Sequence, residues 1–185
     1  MPVTLSDAEL LGEATGPIAA GTPTAAYDIV FLDRDGTLNV HRPGYVADPA
    51  RLVLLPGAAR AVARLNAAGC RVVLVTNQRG IATGRLTRAG LLLVHRTLVA
   101  QLAAQGAHLD ALQVCPHDVG TCTCRKPAPG LFETALRRAT WASPARCAMV
   151  GDQPSDILPA AELGMTTVLL GEGTASLAAA VQRLL

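Results

Sequence analysis

Asp33 and Asp35 stand two residues apart in DRDGT, directly behind the apolar run DIVFL, and Thr37 closes the group. RVVLVT ends in Thr76 and continues into Asn77 and Gln78; ALQVC leads on to Arg125 and Lys126; CAMVG runs into Asp152 and Asp156. Clustered carboxylates repel one another unless a divalent cation neutralises them, and an all-oxygen shell suits Mg2+. A lysine opposes the same negative charge. Backbone N–H groups of the DGT and Thr76-Asn77 turns, with a threonine hydroxyl, can cradle a phosphate. One aspartate can then attack phosphorus while a second, two residues on, handles the leaving-group proton. Phosphoryl transfer is the chemistry this inventory fits. Taken singly each piece has a plainer reading: DxD as a solvated turn, TNQ as a polar loop, GDxxxD as a helix cap. Their order, each behind a strand, points to one site.

A second cluster lies in CPHDVGTCTCRKP, residues 115–127, where Cys115, His117, Cys122 and Cys124 fall within ten residues. Three thiols and an imidazole form a complete set for a tetrahedral ion, with no open position for chemistry. A disulfide is the alternative; a reducing compartment disfavours it, and it leaves His117 without a role. A redox pair is normally C-x-x-C, whereas this is C-x-C. Cys70 and Cys147 precede or open strands and read as small buried hydrophobes. His41, His95 and His108 have no ligand-like neighbours, and His95, in mid-helix, reads as a packing or surface residue.

The elements that must position these groups follow from the pattern. DIVFLD (28–33), RVVLVT (71–76), ALQVC (111–115), CAMVG (147–151) and TTVLL (166–170) read as strands. Helices are expected over 56–69, 87–106, near 130–140, near 155–163 and near 175–184, with Pro56 and Thr87 as starts and Gly69 and Gly106 as stops. The alternation predicts an α/β fold, a Rossmann-like three-layer sandwich with a mostly parallel sheet. In such sheets ligands bind at the carboxyl ends of the strands, where all four polar groups would meet.

At 185 residues one domain is expected over 27–185, with residues 1–26 as a flexible N-terminal arm rich in Gly, Pro, Thr and Ala. Half the residues are hydrophobic but only 3% are aromatic, so the core must be aliphatic. Net charge is +2 with both signs interspersed, which gives no nucleic-acid footprint. No apolar run approaches the roughly 20 residues of a membrane span, and the acidic N-terminus lacks a secretory signal's basic region. A cytoplasmic monomer is expected, with no nucleic-acid or membrane partner.

DRDGT, Thr76-Asn77, Lys126 and GDQPSD (151–156) resemble the four motifs of the haloacid dehalogenase superfamily of aspartate-nucleophile phosphatases. FLDRDGTLN, GYV (44–46), VVLVTNQRGIATG (72–84) and CPH…CTCRKPAPG are similar to a narrower branch, the D-glycero-D-manno-heptose-1,7-bisphosphate 7-phosphatases. The histidinol-phosphate phosphatases share much of the set. The resemblance implies that Asp33 is the nucleophile, Asp35 the general acid and base, and Thr76 and Asn77 ligands of the phosphoryl group. It implies that Lys126 offsets charge, and that Mg2+ is held by Asp33, the Asp35 carbonyl and Asp152, with Asp156 orienting that shell. The branch has no large cap domain, so a capless fold is implied, with Cys115, His117, Cys122 and Cys124 binding a structural Zn2+ that pins the loop. Arg125 would then grip a second phosphate of a phosphorylated sugar. Arg79, where a small residue is common, would add an anion contact. Gln153, where many relatives carry a basic residue, and the short connector before Cys122 depart from the heptose pattern. Histidinol phosphate as substrate, or a catalytically idle phosphosugar-binding module, are the rival readings.

Overall fold

Successive apolar residues of the central strand point to opposite faces and meet different helices. The computed structural model describes residues 5–171 and 173–185. Its elements are α1 (Asp7–Leu10), β1 (Ile29–Leu32), α2 (Ala58–Ala67), β2 (Arg71–Asn77), α3 (Arg88–Ala103), β3 (Ala111–Cys115), α4 (Gly130–Arg138), β4 (Cys147–Gly151), α5 (Pro154–Glu162), β5 (Thr166–Leu169) and α6 (Leu177–Leu184). The five strands run in the order β3-β2-β1-β4-β5, and every pairing is parallel. The expected Rossmann-like sandwich is thus present.

Val30 and Leu32 of β1, with Val72 and Leu74 of β2, pack with Val62, Leu65, Leu98 and Val181 of the helices α2, α3 and α6. Ile29 and Phe31, with Val73 and Val75, pack with Phe132 and Ala135 of α4 and Ala160 of α5. Both phenylalanines of the chain meet edge to face here, ring centroids 5.3 Å apart. Elsewhere the layers are aliphatic, as the composition requires. Thr87 caps α3 by accepting the Gly90 N–H at 3.0 Å, and Asp156 closes the start of α5 by accepting the Gln153 N–H at 3.1 Å.

The N-terminal segment departs from the expected flexible arm. Met1–Thr4 lie outside the described residues. From Leu5 onward the chain lies against the domain, because Leu10, Leu11, Ile18 and Ala25 are buried and Glu9 forms a largely buried ion pair with Arg138 at 2.7 Å. Among the described residues no helix is long and apolar enough to cross a membrane. Among the described residues the cleft at the carboxyl edge of the sheet is lined by the end of β2 and by the segments that follow β1, β3 and β4.

Candidate active site

β1 ends at Leu32, so Asp33 is the first residue beyond the strand, its N–H still held by the Val150 carbonyl at 3.1 Å. Lys126 Nζ lies 2.7 Å from Asp33 Oδ1, 2.6 Å from Asp156 Oδ1 and 2.7 Å from the Val75 carbonyl. Three acceptors use all three ammonium protons, so the charge is fixed in place. Burial by itself would discharge this lysine, but Asp33 and Asp156 reverse the effect and raise its pKa. Burial pushes Asp33 up to about 6; Lys126 opposes that rise and Asp156 adds to it. Among the described residues the second carboxylate oxygen of Asp33 has no hydrogen bond, and the residue lines a cleft of about 240 Å³.

Asp35 is gripped from three sides. The buried Arg34 guanidinium donates from Nε and Nη2 to Asp35 Oδ2 at 3.1 and 2.9 Å. Asn39 donates to Oδ1 at 2.9 Å and Gln78 to Oδ2 at 3.2 Å. Burial alone would raise the Asp35 pKa, but the Arg34 charge and these bonds carry it below the ordinary carboxylate range. Gln78 also donates to Thr76 Oγ1 at 2.9 Å, so one amide links β2 to the carboxylate.

Asp152 and Asp156 emerge from the end of β4 with different surroundings. Asp156 has both oxygens taken, one by Lys126 and the other by the Gln153 N–H. Asp152 Oδ1 is buried without a partner, while Oδ2 accepts from Gln153 Nε2 at 2.9 Å. Gly36 makes room for it, since a Cβ there would sit 2.3 Å from Asp152 Oδ2. Asp33, Asp152 and Asp156 present oxygens within 4.8 Å of one another. With Asp156 occupied, Asp33 and Asp152 are the pair that fits a hard cation, and the orphaned Asp152 oxygen is what such an ion would satisfy.

The other expected contacts divide. Thr76, Asn77 and Arg125 line the cleft, and Arg125 Nη1 is buried without a partner. Asn77 spends its side chain on the Lys126 backbone, donating to the carbonyl at 3.0 Å and accepting the N–H at 3.1 Å. Thr37 is fully buried, its hydroxyl without a partner, and is not among the residues lining the cleft. Arg79 also lies off the cleft lining and pairs with Asp118 of the cysteine loop at 2.5 Å. Its charge therefore ties one loop to another. Reading the sequence missed Arg34 and Asn39 around Asp35, named Gln78 behind its strand without giving it a role, and missed His41, Arg42 and Tyr45, which line the cleft from the connection after β1. The signal for Asn39 was its place four residues after Asp35 in DRDGTLN; Arg34 gave none, because its partners are set by the turn.

In the cysteine loop, Cys115 Sγ lies 3.6 Å from Cys122 Sγ, Cys122 Sγ 3.4 Å from Cys124 Sγ, and His117 Nδ1 3.2 Å from Cys124 Sγ and 3.7 Å from Cys115 Sγ. A tetrahedral ion with Zn–S near 2.3 Å and Zn–N near 2.0 Å would space its ligands about 3.5–3.8 Å apart. All five cysteines are free thiols. Burial and the neighbouring sulfurs push the Cys124 thiol up, whereas at Cys122 burial is outweighed by hydrogen bonds from Arg125 and Cys124 that carry the thiol down to about 7. The donor set fits zinc. Cys70 and Cys147 are buried away from it, as expected.

Residues 123–183 match the HAD-hydrolase-like family model. The D-glycero-alpha-D-manno-heptose-1,7-bisphosphate 7-phosphatase of Mycobacterium bovis is 43% identical over 130 residues, 69% of this chain and 68% of the relative. The D-glycero-beta-D-manno-heptose-1,7-bisphosphate 7-phosphatase of Bordetella bronchiseptica is 39% identical over 147 residues, 78% of this chain and 81% of the relative. A crystal structure of the D,D-heptose 1,7-bisphosphate phosphatase from B. bronchiseptica with magnesium and phosphate superposes with a TM-score of 0.78 at 36% identity, covering 84% of this chain and 97% of that one.

Proposed function

The chain belongs to the heptose-bisphosphate-phosphatase branch of the haloacid dehalogenase-like hydrolases, and from that footing we propose that it removes the 7-phosphate of D-glycero-D-manno-heptose 1,7-bisphosphate. The observation that carries the reading is the buried Lys126 ammonium between Asp33 and Asp156, with Asp35 two residues beyond Asp33. A binding module would gain nothing from holding a carboxylate against a buried ammonium in the wall of the cleft.

The steps follow from the residues. An Asp33 oxygen attacks phosphorus, and the bond from phosphorus to the sugar oxygen breaks as Asp35 hands that oxygen a proton. Asp35 is ionised in the resting site; arrival of a phosphoryl dianion beside it raises its proton affinity, so it takes up a proton from solvent before handing it to the leaving oxygen. Asp35 then takes a proton from water, which attacks the aspartyl-phosphate, frees phosphate and restores Asp33. Lys126 holds its charge against the reacting group throughout, without needing to reorganise. Mg2+ held by Asp33 and Asp152, with the Asp35 carbonyl, would supply neutralisation of phosphoryl charge. Zn2+ held by Cys115, His117, Cys122 and Cys124 would order the loop that leads into Arg125 and Lys126; such binding is worth about 10 kcal/mol in zinc-finger peptides. Arg125, with an unpaired buried nitrogen at the cleft, would receive the second phosphate. A monomer working in the cytoplasm fits this chemistry.

Phosphate release from the two anomers of the heptose bisphosphate, with histidinol phosphate alongside, tests the assignment. One of the heptose anomers should give a kcat/KM at least about a hundredfold above histidinol phosphate; the reverse ranking would overturn the substrate. The panel also ranks the anomers, for which the relatives named above divide.

A further inference from the structure

Among the described residues His95 is the one fully buried histidine, and the chemistry above leaves it unused. It stands on α3 between Leu10 of the N-terminal segment and Arg34 behind β1. Its Nδ1 is 2.5 Å from the Leu10 carbonyl, and its Nε2 is 3.1 Å from Arg34 Nη1. A carbonyl only accepts, so Nδ1 carries the proton and Nε2 accepts from the guanidinium; both ring nitrogens are satisfied by one neutral tautomer. Burial, then the adjacent Arg34 charge, carry His95 down to about 3, in keeping with a ring that stays neutral. The other arms of Arg34 hold Asp35.

The Leu10 carbonyl is delivered by the N-terminal segment. Ser6 caps α1 by accepting the Glu9 N–H at 3.2 Å, so the short helix ends with the Leu10 carbonyl free to receive a donor. Glu9 accepts the Leu112 N–H at 3.1 Å and two bonds from Arg138, covering the otherwise open edge of β3. Gly12 passes so close to β3 that a Cβ would lie 2.5 Å from the Val114 nitrogen, at a φ of 71°. The segment is thus a strap fastened to the sheet edge, with its one helical turn aimed at His95.

We propose that His95 is a positioning residue for the general acid and base: the strap sets the imidazole, the imidazole sets Arg34, and Arg34 sets Asp35. The proposal rests on the reading of Asp35 given above. A displaced Asp35 fails most where the leaving group needs a proton. A sugar hydroxyl does; p-nitrophenolate does not.

The test uses the full chain loaded with Mg2+ and Zn2+, and follows the phosphorylation step with heptose bisphosphate and with p-nitrophenyl phosphate. His95→Leu should lower the sugar-phosphate rate about 10- to 100-fold with KM within about twofold, while the p-nitrophenyl phosphate rate falls less than about threefold. His95→Gln, which can donate and accept, should restore most of the loss. Gly12→Ala lifts the strap without touching the site and should give the same split at about 3- to 10-fold; it decides the matter if His95→Leu does not fold. Equal losses with both substrates, or no loss in the folded variants, would overturn the relay. Asp35→Asn run alongside separates the two ideas: if it shows no split, the acid assignment has failed instead.

Discussion

Asn77 and Lys126 are tied side chain to main chain by two reciprocal hydrogen bonds, 3.0 and 3.1 Å long, which fasten the end of β2 to the segment that carries the buried ammonium. Asn77 therefore acts on the site by holding Lys126 as well as by lining the cleft. Asn77→Ala would strand a backbone donor and acceptor, each costing about 1–3 kcal/mol when buried. The expected result is a lower melting temperature together with a kcat reduced about 10- to 100-fold, measured by thermal unfolding and phosphate release.

Removing the ammonium itself should be more severe. Lys126→Met leaves Asp33 and Asp156 buried together without a counter-charge, and breaking a buried pair in this way costs about 3–5 kcal/mol. Activity should fall at least about a thousandfold. Stability should recover as pH is lowered from about 7.5 to about 5, because protonation discharges the orphaned Asp33 carboxylate. Denaturant unfolding at several pH values checks this; a variant that weakens on acidification would contradict it.

Asp33 gives a second pH signature in metal-free protein. Its pKa rises from the ordinary 3.8 to about 6 on folding, so the native state binds more protons than the unfolded state between those values. Its contribution is fully present below pH 3.8 and is lost as pH rises through about 6. Asp33→Asn removes that dependence. In chelator, the stability of Asp33→Asn relative to the native sequence should grow by about 1–2 kcal/mol between about pH 4.5 and about 7.5. Urea titrations of both proteins measure it; a gap that narrows would count against the buried nucleophile.

Much of this arrangement was legible in the sequence, for a physical reason. Strands buried on both faces read as near-continuous apolar runs, and DIVFL, RVVLV and CAMVG, each followed by polar residues, have that pattern. Because the runs are parallel, the polar residues behind them had to gather at one edge. Relationships set by distant partners were not legible. LSDAELLG reads as part of a flexible arm until β3 offers its edge to Glu9, and His95 reads as a mid-helix packing or surface residue until Leu10 and Arg34 arrive. Arg79 reads as a site cation until Asp118 claims it. Hydrophobic period carries no information about such pairs.

The cysteine loop yields a metal prediction. Protein prepared without chelator should contain one zinc per chain, and Cys124→Ser should lose it and most activity while keeping the sheet's circular dichroism signal. Arg79→Ala, which removes only a half-exposed ion pair, should change stability by less than about 1 kcal/mol. Metal analysis and activity on the same preparations check the first, and denaturant unfolding checks the second.

The most direct test of the account asks where the phosphoryl group goes. The protein, mixed with Mg2+ and D-glycero-D-manno-heptose 1,7-bisphosphate and quenched in acid within one turnover, should carry one phosphoryl group, and mass spectrometry of its peptides should place it on Asp33. An adduct on another residue, or steady turnover by Asp33→Asn purified free of contaminating phosphatase, would contradict it.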